Sequence, residues 1–360
     1  MKYVTYIGSQ TSKDQKNGIH ICESDSETGD FKLLEKLDVL ENPIYMALSK
    51  DCSRLYCVFS DPKIGSGSCN GGIAAFKADG AKLEKMNSVF TARSVPCHVS
   101  LSIDEKRLLF AEYSKGTAGI VNLNRDGSID DTSLRLVEHF GDGPNKPRQD
   151  AAHAHCAIAT PDNKYMLVAD LGIDYIKAYE LEKCGCEMKE ANAATIRTVP
   201  AGAGPRHMIF HPNGKILYVL FELTNLVSSY RYDGRRFTLI ETQSLIPAWY
   251  KDFSKASAIK ISADGKQLFC SNRGYDSIAV FNLDAVSGHM ELLNIAKLDG
   301  SFPRDFEFMP GEKFCLIGFE KSNTVKSYAY EKATGKFTEV AKMEGIYHPL
   351  YFKFADKKRP

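Results

Sequence analysis

The sequence predicts an all-β fold: seven four-stranded antiparallel units in one ring over residues 1–360, closed by pairing the N-terminal strands with the C-terminal strand. Three observations predict this seven-bladed β-propeller. A strand–turn–strand phrase recurs along the whole chain, and a different alternating strand recurs between its copies. No window sustains the 3.6-residue apolar period of a helix.

The phrase opens with a short alternating strand, passes Ser/Pro-Asp/Asn-Gly-type turn residues and ends in an apolar strand. It begins at Asn42-Pro-Ile-Tyr and returns at Val95-Pro-Cys-His, His153-Ala-His-Cys, Gly204-Pro-Arg-His, Lys255-Ala-Ser-Ala and Phe302-Pro-Arg-Asp. Taking Pro43, Pro96, Ala154, Pro205, Ala256 and Pro303 as equivalent, the spacings are 53, 58, 51, 51 and 47 residues. A seventh first strand follows 46 residues later at Pro349 and has no second strand after it. The missing one is Lys2-Tyr-Val-Thr-Tyr-Ile7, so each end of the chain fastens the other. The third strands start near Ile19, Ile73, Gly119, Ile176, Val227, Ile278 and Val325, and most lead into a turn such as Asp79-Gly80 or Asp233-Gly234. Two stacked sandwiches would not explain the even spacing. A propeller of the Trp-Asp repeat type is excluded because the chain has a single Trp, Trp249, and it is followed by Tyr250.

Composition narrows the function classes. Lys and Arg number 46 against 45 Asp and Glu, a net charge of +1, which argues against holding nucleic acid by overall charge and leaves room for a local cationic cluster. No apolar run approaches the ~18 residues of a membrane span, and the N-terminus lacks the core and cleavage site of an export signal. The expectation is a soluble cytoplasmic protein whose ten cysteines are reduced, with Cys57, Cys156, Cys270 and Cys315 acting as small hydrophobes. Cys184-Gly-Cys186 has no second pair to complete a zinc site, and His153 with His155 has no third ligand at fixed spacing, so no metal is expected. Gly65–Gly72 lacks the Lys-Ser/Thr and the helix of a phosphate loop, and no nucleophile-elbow context exists.

Because side chains alternate along a strand, the repeat lets one position be compared across blades. The residue after the Pro slot reads Ile44, Cys97, His155, Arg206, Ser257, Arg304 and Leu350. The end of the second strand reads Ser60, Glu112 or Tyr113, Asp170, Glu222, Arg273 and Glu320. Two rings of mixed charge are therefore expected to face one axis on blades three to six. A charge that ends an apolar run, as Glu222 ends Ile216–Phe221, needs a partner or a ligand.

The motifs Gln149-Asp-Ala-Ala-His-Ala-His155, Asp170-Leu-Gly172, Gly204-Pro-Arg-His207, Glu222-Leu223, Ser271-Asn-Arg-Gly274, Phe302-Pro-Arg-Asp305 and Lys321-Ser-Asn-Thr-Val325 resemble those of the propeller lactonase family. That family includes 6-phosphogluconolactonases and fungal carboxymuconate-cyclising enzymes, and the resemblance runs over all seven blades. It implies a site at the channel mouth with His155, Arg206, Glu222 and Arg273 as catalytic residues; beside them His153, Arg304 and Glu320 are expected to bind substrate. It also implies opening of a small anionic lactone or sugar phosphate, with no cofactor and no obligate protein partner. Phe221 stands where the family usually has Asn, Glu112 where Asn is common, and Phe319-Glu320 replaces a commoner amide-type pair. These departures predict a more acidic and partly more apolar floor.

The residue chemistry suits such a reaction. Arginine forks grip two oxygens at once, and ring opening by water needs a base and oxyanion stabilisation. The expected assignment has Arg206 and Arg273 on the anion or oxyanion, Glu222 activating water and His155 protonating the leaving alkoxide. A lactonising cycloisomerase would use the same arginines, and a non-catalytic propeller that binds a partner on its face is the alternative from outside enzymology.

Overall fold

The computed structural model describes residues 1–12, 14–16, 18–61, 70–91, 94–181 and 188–356. The Cys184/Cys186 pair and residues 65–69 of the Gly65–Gly72 stretch lie outside the described residues. Among those described, 28 strands and no helix form seven four-stranded antiparallel sheets, so no helix is long and apolar enough to cross a membrane. Blades one to six begin at Met46, His98, Ala154, Pro205, Lys255 and Pro303, each running from channel to rim in chain order.

Blade seven is composite. Its innermost strand, Pro349–Asp356, pairs with Lys2–Ser9 in a register running from Tyr3↔Asp356 to Ser9↔Pro349, and Ile19–Asp25 and Phe31–Leu37 complete the sheet. The ring is closed by hydrogen bonds between the two ends of the chain.

Burial explains the strand composition. A second strand lies between the neighbouring blades' sheets, so both its faces are covered and it can be apolar throughout: all six residues of Ile216–Phe221 are buried. Outer strands face water: in Phe31–Leu37 every residue between the two ends is exposed, Leu33 and Leu34 among them. Apolar side chains from adjacent blades interlock in seven clusters among the described residues, one at each junction round the ring. The junction between blades six and seven joins Leu316 and Val325 to Ile7, Cys22 and Phe352. The cysteines named as hydrophobes in the sequence are fully buried or nearly so and are free thiols.

One irregularity repeats at the functional end. Each inner strand of blades three to seven slips register at the residue after the Pro slot: His155, Arg206, Ser257, Arg304 and Leu350 lie within bulges. A bulge interrupts the alternation of side chains, so that two successive residues turn to the same face. Arg206 with His207 and Arg304 with Asp305 therefore both line the channel, where an unbroken strand would send one of each pair into the blade.

Since the last strand both completes blade seven and fills the final junction, Phe352→Ala is expected to cost about 3–5 kcal/mol. Urea unfolding curves check it: the unfolding free energy extrapolated to water should fall by that amount relative to the parent chain.

Candidate active site

Four arms converge at one mouth of the channel. Arg206 comes from the bulge in blade four, Glu222 from the residue after that blade's second strand, and Arg273 from the end of the second strand of blade five. The fourth arm is Arg148, from the connection between blades two and three. Glu222 Oε2 lies 2.9 Å from Arg206 Nε and 3.0 Å from Arg273 Nη2. Its Oε1 accepts from Arg148 Nη2 at 2.8 Å, and the same nitrogen donates to the Tyr113 hydroxyl at 3.1 Å. Burial alone would raise the carboxyl's pKa, but the charges of Arg273, Arg206 and Arg148 outweigh it and hold Glu222 well below the carboxylate range.

The guanidiniums are held by backbone as well. Arg273 Nη2 donates to the Ala256 carbonyl at 3.0 Å, and Arg206 Nη1 donates to the Ser257 carbonyl. Even so, Arg206 Nε, Arg273 Nε and Arg148 Nη1 are buried and have no hydrogen-bond partner among the described residues. The Arg206 Nε–H attracts Glu222 by charge and is not aimed along the line to its oxygen. Buried donors left open at a channel mouth are the mark of an oxygen-rich ligand.

Arg148 owes its position to a buried hub. The neighbouring Gln149 is fully enclosed and donates through Nε2 to the Leu171 carbonyl and to Asp174 Oδ1, both at 2.8 Å. Asp174 also accepts from the Gly204 amide at 2.8 Å and from the Gly202 amide. One carboxylate thus ties the connection carrying Arg148 to the loop preceding Arg206.

His155 stands beside the arginines and is buried, with no partner for Nδ1 among the described residues. Burial, reinforced by the charges of Arg206 and Arg304, holds its pKa well below 6.5, so the ring is neutral at pH 7. A cavity of about 30 Å³, room for water, is bounded by His155, Arg206, Arg304 and Cys97. Beneath it a layer of rings plugs the channel: His155 to His207 at 5.3 Å, His207 to His98 at 5.8 Å, His98 to Tyr45 at 4.4 Å and Tyr45 to Tyr351 at 3.8 Å. The open far end, about 370 Å³, is thereby separated from the arginines.

Strand register corrects the second comparison. Glu112, Asp170, Phe221, Asn272 and Phe319 each pair with the residue five positions on, so these five are equivalent. The next position, Tyr113, Leu171, Glu222, Arg273 and Glu320, is the one at the mouth. Glu112 is buried inside its blade and accepts from the hydroxyls of Thr91 and Thr117. Asp170 is likewise enclosed, 2.6 Å from His139 Nδ1 and accepting from the His153 amide at 2.7 Å. Of the departures expected to make the floor more acidic and partly more apolar, Glu112, Phe221 and Phe319 face blade interiors instead, and Glu320 alone stands at the mouth.

His153 packs against Tyr113. Its ring stacks on Tyr113 at 4.3 Å and 5°, with Nδ1 3.0 Å from the Tyr113 carbonyl and Nε2 3.2 Å from Asp150. Its nitrogens are engaged, and the ring buttresses Tyr113, against whose edge His155 packs at 5.6 Å. Being two residues apart does not put the two histidines at one ligand position, because His155 lies in the bulge. No group of three or more His, Cys, Asp or Glu among the described residues is arranged to hold a metal. Arg304 Nη1 pairs with Glu320 at 3.1 Å on the edge of the same mouth.

The description "Lactonase, 7-bladed beta-propeller" matches residues 4–354. The chain belongs to that lactonase family. It is 33% identical over 357 residues, 98% of each chain, to a Bacillus subtilis protein named 6-phosphogluconolactonase. A solved protein from Lactobacillus plantarum superposes with a TM-score of 0.88 at 32% identity, covering 99% of this chain and 100% of that one. The periplasmic gluconolactonase of Pseudomonas aeruginosa superposes at 0.89 with 27% identity, over 98% of this lactonase-family chain and 99% of its own. Sequence reasoning missed Arg148, which stands directly before the quoted Gln149 motif in a connection that no other blade repeats.

Glu222→Gln would leave two buried guanidiniums, Arg206 and Arg273, and the half-buried Arg148 without their counter-charge and is expected to lower stability at pH 7 by about 3–5 kcal/mol. The folded carboxyl titrates below its ordinary 4.5, so its contribution is complete above that pH and is lost as the pH falls through the depressed folded value. Urea titrations at pH 7 and pH 3 should therefore show the gap between parent and variant narrowing in acid.

Proposed function

We propose that this family member is a hydrolase that opens a sugar lactone, 6-phosphogluconolactone, to 6-phosphogluconate, in the cytoplasmic pentose phosphate pathway. The name of the Bacillus subtilis relative supports the substrate. The observation that carries the reading is the set of three open, buried guanidinium N–H groups around Glu222, beside a neutral His155 and a water-sized cavity.

The electrostatics favour exchanging two roles expected from sequence. A carboxylate held far below its normal pKa is a poor base, whereas a neutral imidazole can accept a proton. In our scheme Glu222 keeps the three arginines in place and acts as a positioning residue. Water between His155 and Arg206 attacks the lactone carbonyl as His155 takes its proton. The electrons moved onto the carbonyl oxygen are met by the open N–H groups of Arg206, Arg273 and Arg148, worth about 10²–10³ in rate for one good donor. Collapse of the adduct breaks the ring C–O bond, and the leaving alkoxide recovers the proton from His155. Neither a metal nor an organic cofactor enters these steps, and the ligand is a small anion, with no role for nucleic acid, a membrane or a second protein.

Acid release from freshly generated 6-phosphogluconolactone should exceed the spontaneous rate and fall about 10²-fold in His155→Ala. No acceleration by the parent chain would overturn the reading. Because the base functions when neutral and its pKa is depressed, the rate should hold as the pH drops through 6.5 and fail only in more acid solution. A kcat/KM profile with an acid limb near 6.5 would remove His155 from the role of base.

A further inference from the structure

Beyond the arginine cluster, the same mouth carries two lysines seated on aromatic rings. Lys255 Nζ lies 5.2 Å from the ring centre of Phe253, and Lys321 Nζ lies 3.6 Å from that of Phe302. The two phenylalanines are parallel within 13°, with centres 6.1 Å apart, so the lysines flank one stacked pair. Neither lysine comes within ion-pairing distance of a carboxylate among the described residues.

Both are tied to the reaction centre by the chain. Lys255 is opposite Arg273 in the strand register, and the next residue, Ala256, donates its amide to the Glu222 carbonyl at 3.2 Å. Lys321 follows Glu320, the partner of Arg304. Burial and the nearby charges of Arg148, Arg273 and Lys321 press Lys255 below its ordinary pKa, with Glu222 opposing them. The mouth thus holds a surplus of cations that its own carboxylates do not neutralise.

Phe302 is held at φ 63°, in the left-handed region, where Asn42, Gly204 and His348 occupy the equivalent slot before proline in other blades. A bulky residue is unfavourable there and persists only where its surroundings hold it. Its amide is fixed by Asp276 Oδ1 at 2.9 Å, which also accepts from the Gly274 amide at 3.0 Å. Gly274, at φ 103°, has no room for a side chain: a Cβ would meet the Phe253 carbonyl oxygen at 2.2 Å. The turn after Arg273 therefore supports both rings.

We infer that Lys255 and Lys321, on the Phe253–Phe302 stack, form a subsite for the phosphate dianion of the substrate, separate from the arginines that meet the reacting carbonyl. This rests on the lactonase reading and deepens it, because it makes the phosphorylated sugar lactone the preferred substrate over the unphosphorylated one. A dianion at neutral pH matches two ammonium groups that no carboxylate among the described residues pairs with, and the ring faces beneath them fix where those charges sit.

The test compares kcat/KM for 6-phosphogluconolactone and glucono-δ-lactone in the parent chain, Lys255→Ala, Lys321→Ala and the double variant, with calorimetric binding of 6-phosphogluconate and gluconate alongside. The phosphate preference, in rate and in binding, should fall about 10-fold per lysine and about 100-fold in the double variant. A double variant that keeps the parent's preference would overturn the subsite. If the parent accelerates neither lactone, the lactonase reading fails. Calorimetry then still decides the subsite, which stands if the lysines set the preference for 6-phosphogluconate and falls if they do not.

Discussion

Everything at the channel mouth depends on the pairing of Pro349–Asp356 with Lys2–Ser9. A propeller blade is a small sheet with two exposed faces, and it becomes stable only when both are covered by neighbours. Without the closing pair, blades six and one would each lose an apolar junction, and the inner strands would no longer point at a common axis. Closure turns seven weak units into one structure and makes the same position in each inner strand meet at one place.

Closure brings strands together, and bulges decide what they present. An inner strand between two blades should hide alternate residues, which would leave a channel lined by one residue in two. The register slips at Arg206 and Arg304 bring both Arg206 with His207 and Arg304 with Asp305 to the channel face and put the arginines above a plug of histidine and tyrosine rings. The plug excludes bulk water from one side, so the arginine charges act at low screening. The same burial that strengthens the arginines makes His155 neutral, and their charge in turn deprives Glu222 of basicity. The protonation of both groups is a consequence of packing as much as of residue identity.

Much of this was legible before the structure. Regular returns of Pro43, Pro96, Pro205, Pro303 and Pro349 are a property of the chain alone, and the orphan second strand at its start announces closure. Arg206, Glu222 and Arg273 stood out because charges do not end apolar runs without a reason, and they do meet at one mouth. Glu112 and Asp170 misled because one residue along a strand turns a side chain from channel to blade interior, and only hydrogen-bond register resolves that step. Arg148, in a stretch without repeats, had no counterpart in other blades to compare with.

The amino-acid sequence by itself determined the number of blades, the closure and the family, because these follow from periodicity and from ordered motifs carried locally by the chain. The tertiary structure alone decided the carboxylate's three arginine partners, the neutrality of His155 and the seating of Lys255 and Lys321 on a phenylalanine pair. Those are matters of distance and desolvation between residues far apart in the chain, and charge interactions take their strength from both.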